Sequence, residues 1–137
     1  MKNILIIGST GQIGSELAMH LRGIYGNEHV VAGYIPGAEP KGELLESGPC
    51  AVTDVINAQS IADAVKKYNI DTIYNLAALL SVVAESKPRL AWQIGIDGLW
   101  NTLEIARENK CAVFTPSSIS SFGLETPHDM TPQDTVQ

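Results

Sequence analysis

The stretch from Lys2 to Leu21, KNILIIGSTGQIGSELAMHL, constrains the fold of this chain more than any other. Ile4-Leu5-Ile6-Ile7 is a short apolar run, rich in β-branched residues, that stops at Gly8. That is how a strand buried on both faces of a parallel sheet reads. Gly8, Gly11 and Gly14 then stand three apart, and Ile13, Leu17, Leu21 and Ile24 recur at helical spacing. Strand, glycine turn and helix together form the context that a dinucleotide fingerprint needs. In that reading Gly8 takes the tight turn, Gly11 lets the backbone approach a pyrophosphate, and Gly14 lets the helix lie close on the strand. The amides and dipole of the first helical turn then face the phosphates. The spacing G-x-x-G-x-x-G is one residue wider at its start than G-x-G-x-x-G, and a plain βα turn stands as the alternative. A mononucleotide phosphate loop is excluded, because no Gly-Lys-Ser/Thr follows the glycines.

A length of 137 residues suits one domain. Net charge is −6 and the pI near 4.9, which argues against a nucleic-acid partner. Met1-Lys2-Asn3 runs straight into the first strand without a signal-peptide pattern, and no apolar run approaches membrane-spanning length. A cytoplasmic protein with no membrane partner is expected. His20, His29 and His128 are scattered, so no metal site is expected.

Further along, His29–Gly33 reads as a second strand and 35–48, with two prolines and three glycines, as a loop. Cys50–Thr53 reads as a short third strand closed by Asp54. Ile61, Ala64, Val65 and Tyr68 share one face of a helix capped by Asn57. Asp71–Leu76 is the fourth strand. Pro88 opens a long helix running to about Asn109. Its apolar stripe is Trp92, Ile96, Leu99, Leu103 and Ala106, and a second face carries Gly95, Gly98, Thr102 and Ile105. Interior glycines cost about 1 kcal/mol each against alanine, which implies close packing there against a neighbouring backbone or a ligand. Ala112–Thr115 is the fifth strand, ended by Pro116, and 117–137 reads as loop. Strands alternating with helices predict an α/β fold: a Rossmann-type, doubly wound parallel sheet of about five strands, order 3-2-1-4-5, in three layers. In that order Cys50 and Cys111 flank opposite edge strands, four strand spacings or ~19 Å apart, so no disulfide joins them.

These motifs resemble the extended short-chain dehydrogenase/reductase family, the group of NAD-dependent epimerases and dehydratases. The resemblance rests on GSTGQIG at 8–14, Asp54-Val55, Asn75-Leu76-Ala77-Ala78, and Pro116-Ser117-Ser118 with Gly123 beyond. Within the family the chain looks most like epimerase-type L-threonine 3-dehydrogenases, on GSTGQIGSEL, NLAALLS, LAWQIGIDGLWNTLEIAR and PSSISSFGLETPHDMTPQDT. Such enzymes oxidise a secondary hydroxyl by hydride transfer to NAD. Nucleotide-sugar epimerases and dehydratases share the same first half, and a dinucleotide-binding protein without catalysis is a third reading.

The resemblance implies roles by position. Ser9, Thr10, Gln12 and Ile13 surround the pyrophosphate together with the three glycines. Asp54 receives the adenine amino group and Val55 lies on the ring. Leu76, Ala77 and Ala78 form a cofactor wall. Ser118 is the catalytic serine position with Ser117 beside it, and Leu80 and Ser81 border the substrate pocket. Each has a plainer counterpart: an Asx turn at Asp54, a backbone-bonded loop serine at Ser118, a strand end at Asn75.

The sequence departs from the family pattern in three places. Tyr34 stands where a carboxylate should hold the adenosine ribose, with no arginine for a 2′-phosphate, so NAD is expected over NADP, bound weakly. The family's long-helix asparagine aligns with Gly95. The Tyr-x-x-x-Lys pair is missing, since Tyr25, Tyr34, Tyr68 and Tyr74 are followed four residues on by His29, Ala38, Thr72 and Ala78. Without that base no turnover is expected of this chain alone. Residues 1–137 therefore read as the amino-terminal, NAD-binding half of a longer enzyme. The small-molecule substrate would bind only in the complete protein, with a homodimer through the long helices as a further possibility.

Overall fold

The computed structural model describes residues 2–118, 122–123, 126–127 and 129–131. Five strands, β1 (Ile4–Ile7), β2 (Val30–Tyr34), β3 (Cys50–Val52), β4 (Thr72–Asn75) and β5 (Ala112–Phe114), form one sheet of order β3-β2-β1-β4-β5. Every pairing is parallel, with Ile7 level with Gly33 on one side and Asn75 on the other. The expected order and direction both hold. Cys50 and Cys111 flank opposite edges as free thiols.

Alternation along β1 divides the core in two. Leu5 and Ile7 join Val31, Ile73, Ile61, Val65 and Ala106 on the face covered by α3 (Ala58–Lys67) and α6 (Gly98–Asn109). Ile4 and Ile6 join Val30, Ala32, Ala18 and Leu21 on the face covered by α1 (Gln12–Tyr25). All four β1 residues are at most 1% exposed. Each such side chain contributes about 1.5–3 kcal/mol on burial, so the central strand anchors both layers.

Several local expectations are corrected. The 35–48 segment holds a four-residue helix, α2 (Glu43–Glu46), whose Leu44 is buried against the α1 face. The cause is Arg22, itself 2% exposed. Its guanidinium donates to the carbonyls of Val30, Leu44 and Pro49 and to Ser47 Oγ, pinning this segment to α1. Asn57 stands at the N-cap position of α3 but makes no side-chain cap bond. Ser60 Oγ instead donates to the Asn57 carbonyl at 2.8 Å and accepts the Asp54 amide at 2.9 Å.

The long helix is three consecutive pieces: α5 (Pro88–Trp92), a π-helical turn (Gln93–Asp97) and α6, preceded by α4 (Ser81–Ser86), which the sequence reading did not anticipate. Its buried face is Gly98, Thr102 and Ala106, with Ile105 partly covered. Trp92, Ile96 and Leu103 of the expected stripe are exposed, as is Trp100 at 66%. One extra residue in the π turn rotates the two ends of the apolar pattern against each other. Gly98 packs closely, since a Cβ there would come within 2.6 Å of Val55 Cγ2, whereas Gly95 faces open space. Close packing within the protein therefore holds for Gly98 and not for Gly95. Most of the tail from 119 on, including the loop expected to reach Gln137, lies outside the described residues.

Candidate cofactor site

With all strands parallel, the segments that leave β1, β2, β3 and β4 emerge on the same edge of the sheet. β1 and β4 are neighbours there while β1 and β2 run on the other side, which makes this the point where chain order reverses. A cleft of about 280 Å³ opens at that point. Ile7, Gly8, Thr10 and Gly11 line it from β1 and the glycine turn; Thr53, Asp54 and Val55 come from the segment after β3. Leu76, Ala77, Ala78 and Leu79 close it from β4, and Tyr34, Ile35, Ala38 and Ile94 complete the rim.

Gly8 and Gly14 have the turn conformation and the close approach that their spacing implied. Gly8 has φ +81°, which L side chains rarely adopt, and turns the chain out of β1. Added to Gly14, a Cβ would collide with the Gly8 carbonyl oxygen and lie 2.8 Å from Ser9 Cα, so only glycine lets α1 sit this close. Gly11 bears only one contact at that range, the Gly8 carbonyl at 3.4 Å, and its surroundings are otherwise open. No side chain caps α1. Ser15 is the first residue whose amide enters the helical ladder, to the Gly11 carbonyl at 2.9 Å. The amides of Gln12, Ile13 and Gly14 remain available to an anion. A bare, glycine-lined helix start over an apolar cleft fits a dinucleotide's pyrophosphate.

Of the thirteen residues expected around the cofactor, Gly8, Thr10, Gly11, Tyr34, Asp54, Val55, Leu76, Ala77 and Ala78 line the cleft. Ser9 does not; it is wholly buried, donating through Oγ to the Gly33 carbonyl at 2.9 Å. It is a strut that ties the glycine turn to β2. Ile13 is 70% exposed and does not line the cleft. Leu80, Ser81, Ser117 and Ser118 are all exposed and none lines the cleft.

The plainer readings of two motifs are present as well. Asp54 Oδ1 accepts the Ile56 amide at 3.1 Å, an Asx turn, and Asn75 Oδ1 accepts the Ala77 amide at 3.3 Å. These bonds shape the segments carrying Val55 and Ala77 and leave the second Asp54 oxygen for other donors. Val55 is held from behind by Gly98 and by Asn101, whose Nδ2 donates to the Val55 carbonyl at 2.8 Å. At the rim, Glu39 accepts the Gly37 amide at 2.8 Å, a bond that leads the causes holding its carboxyl below the usual range.

Sequence reasoning missed Ile7, Ile35, Ala38, Thr53, Leu79 and Ile94 as lining residues. Their apolar or small side chains carry no motif, and only the sheet order brings them together. Thr53 Oγ1 is distinctive: it is the one buried side-chain nitrogen or oxygen without a hydrogen-bond partner among the described residues.

A parallel sheet of this order with a glycine-turn cleft at its switch point defines a Rossmann-type dinucleotide-binding domain. The model of the NAD dependent epimerase/dehydratase family matches residues 4–136, and the chain belongs to that family. An uncharacterized epimerase/dehydratase of Staphylococcus saprophyticus is 45% identical over the whole chain, which spans 42% of that relative's length. The L-threonine dehydrogenase of Clostridium difficile shares 50% identity at a TM-score of 0.88, covering 100% of this chain and 43% of its own. A GalE-like L-threonine dehydrogenase from Cupriavidus necator, in holo form, shares 38% at 0.84, covering 98% and 43%. Among the described residues no helix is long and apolar enough to cross a membrane.

Proposed function

We propose that residues 1–137 are the amino-terminal, NAD-binding half of an oxidoreductase of the L-threonine 3-dehydrogenase type. The observation that carries this reading is the cleft at the switch point, where the glycine turn, Asp54-Val55 and Leu76–Ala78 converge around the open start of α1. The identity to threonine dehydrogenases across nearly the full chain supports that branch over nucleotide-sugar enzymes.

In this reading the amides of Gln12–Gly14 hold the pyrophosphate, with Gly8, Thr10 and Gly11 giving it room and Ser9 fixing the turn. Asp54 takes the adenine amino group and Val55 packs on the ring. Tyr34 offers one phenol to the ribose where a carboxylate would offer two acceptor oxygens. Leu76, Ala77 and Ala78 wall the cleft. Ser118 orients the hydroxyl to be oxidised, and Ser117, Leu80 and Ser81 border the substrate. When bound, NAD supplies the hydride acceptor. No tyrosine here is followed by a lysine four residues on, so no residue of this chain takes the hydroxyl proton in that pattern and turnover belongs to the longer protein. The exposed Trp92, Ile96, Trp100 and Leu103 support a homodimer through this helix, which sedimentation would reveal as a dimeric mass.

Thermal shift tests the cofactor. At a hundredfold excess over its dissociation constant, NAD adds about 2.7 kcal/mol to stability, with NADP weaker. No shift with either at millimolar concentration refutes the reading. Tyr34→Asp strengthens NAD binding if the ribose assignment holds, and unchanged affinity retires it. L-Threonine with NAD produces no NADH on this chain; NADH formation would overturn the stated division of labour.

A further inference from the structure

We infer that Thr53 contacts the cofactor, its hydroxyl hydrogen-bonding the adenosine ribose. This rests on the cofactor reading above. Thr53 is 1% exposed and lines the cleft, one residue before Asp54. Its amide is locked to the Tyr34 carbonyl at 2.8 Å, so the residue cannot slide. Polar groups around it are paired: the Asp54 amide with Ser60 Oγ, Asp54 Oδ1 with the Ile56 amide. Thr53 Oγ1 has no partner. It lies instead in the slot left by the absent side chain of Gly33, where a Cβ would collide with it and stand 2.8 Å from the Ile6 carbonyl.

A slot of that kind suits a methyl group, and an unpaired hydroxyl there is disfavoured. Threonine carries both groups on one carbon. Rotation about χ1 moves the hydroxyl out of that slot to another staggered position, and Thr53 lines the cleft. A ribose hydroxyl offers the missing partner, and does so beside Tyr34, where only one phenol serves two sugar hydroxyls. Thr53 then makes good part of the deficit left by the absent carboxylate.

The test compares NAD with its 2′-deoxyadenosine and 3′-deoxyadenosine analogues on wild type, Thr53→Val, Thr53→Ser and Thr53→Ala by calorimetry. Thr53→Val is expected to bind NAD about fivefold more weakly, the size of one neutral hydrogen bond, with Thr53→Ser within twofold of wild type. One deoxy analogue is expected to bind wild type and Thr53→Val alike, which a packing effect would not produce. Equal NAD affinity for wild type and Thr53→Val overturns the inference, as does a parallel loss for NAD and both analogues. Should Thr53→Val fail to fold, the Ser and Ala pair decides on the same criterion. Wild type that binds no NAD sinks the cofactor reading instead, and the two failures are distinct.

Discussion

Alanine at Gly14 and at Gly23 makes a matched pair within α1, because the two glycines share one helix and differ only in what a Cβ would meet. At Gly23 nothing lies within 4 Å, so alanine collects its full helical advantage of about 1 kcal/mol. At Gly14 the new methyl strikes the Gly8 carbonyl oxygen and stands 2.8 Å from Ser9 Cα and 2.9 Å from the Gly8 carbonyl carbon. All three are backbone atoms of a turn whose position is fixed by Ser9, bonded to Gly33 through both amide and hydroxyl. They cannot swing aside as a flexible side chain would. Overpacking costs roughly 1–3 kcal/mol, and a clash against immobile backbone belongs at the upper end. After the propensity gain, Gly14→Ala loses about 2 kcal/mol, some 3 kcal/mol below Gly23→Ala. For a chain of this length that separation corresponds to roughly 10 °C in melting temperature. Urea unfolding followed by circular dichroism, with equal m-values as the two-state check, measures it. If Gly14→Ala proves as stable as Gly23→Ala, α1 does not rest on the glycine turn and the close approach is wrong. NAD binding gives an independent reading, since Gly14→Ala displaces the turn while Gly23→Ala leaves it alone.

Three further outcomes follow from contacts outside the cleft. Arg22→Met removes the guanidinium donors to the carbonyls of Val30, Leu44 and Pro49, of which Pro49 keeps the Ala32 amide, and should cost roughly 3 kcal/mol in urea unfolding, with Arg22→Lys recovering only part, since an ammonium lacks the guanidinium's fork. Burial pushes the Asp71 carboxyl up, but the Thr72 hydroxyl and the amides of Lys2 and Asn3 outweigh it and leave it below its usual value. The ionised carboxylate therefore stabilises fully above the unfolded value of about 3.9, and this contribution is lost as pH falls through the lowered folded value. Asp71→Asn should lose about 1 kcal/mol at neutral pH, with the gap to wild type closing in acid; a gap that widens in acid would refute the sign. Burial, and then the Asp71 charge, raise the Cys111 thiol, which also donates to the Ile70 carbonyl at 3.1 Å. Iodoacetamide should alkylate it more slowly in the folded protein than in urea at pH 8, as read by mass spectrometry.

The elements that the sequence made legible are those whose burial is set within one short window. Ile4–Ile7 is apolar at every position because both faces are covered, and a single run of letters records that. The glycine spacing is legible for a similar reason, since Gly11 and Gly14 meet the turn beside them, although Gly8 also approaches the distant backbone of Leu76 and Ala77. The long helix misled because periodicity reports how apolar residues are arranged, not what they touch. Trp92, Ile96 and Leu103 form the better stripe by letters, yet Gly98, Thr102 and Ala106 face α3 and the Val55 segment. Small residues permit the close approach, and a π turn that no motif marks shifts the phase between the halves. Arg22 was invisible likewise. A cation in the last turn of a helix reads as a surface group, and its carbonyl partners, from Val30 to Pro49, carry no side-chain signature.

The site divides along the same line. Residues proposed to bind through backbone, the glycines and the amides at the start of α1, are dictated by conformation, so the glycine turn itself is legible in the sequence. Residues that bind through side chains are ambiguous. Asp54 and Asn75 both make local Asx turns, and those bonds would exist in a domain that held no cofactor at all. What separates the two cases is the energy left over: a local turn uses one carboxylate oxygen and satisfies it, whereas a binding site keeps a group whose demand the protein alone does not meet. The open amides of Gln12–Gly14 are one such demand and the Thr53 hydroxyl is the other. Gly11, just before those amides, and Thr53 line one cleft; the amides suit an anion and the hydroxyl a neutral partner, and a phosphate joined to a ribose presents both within a single molecule.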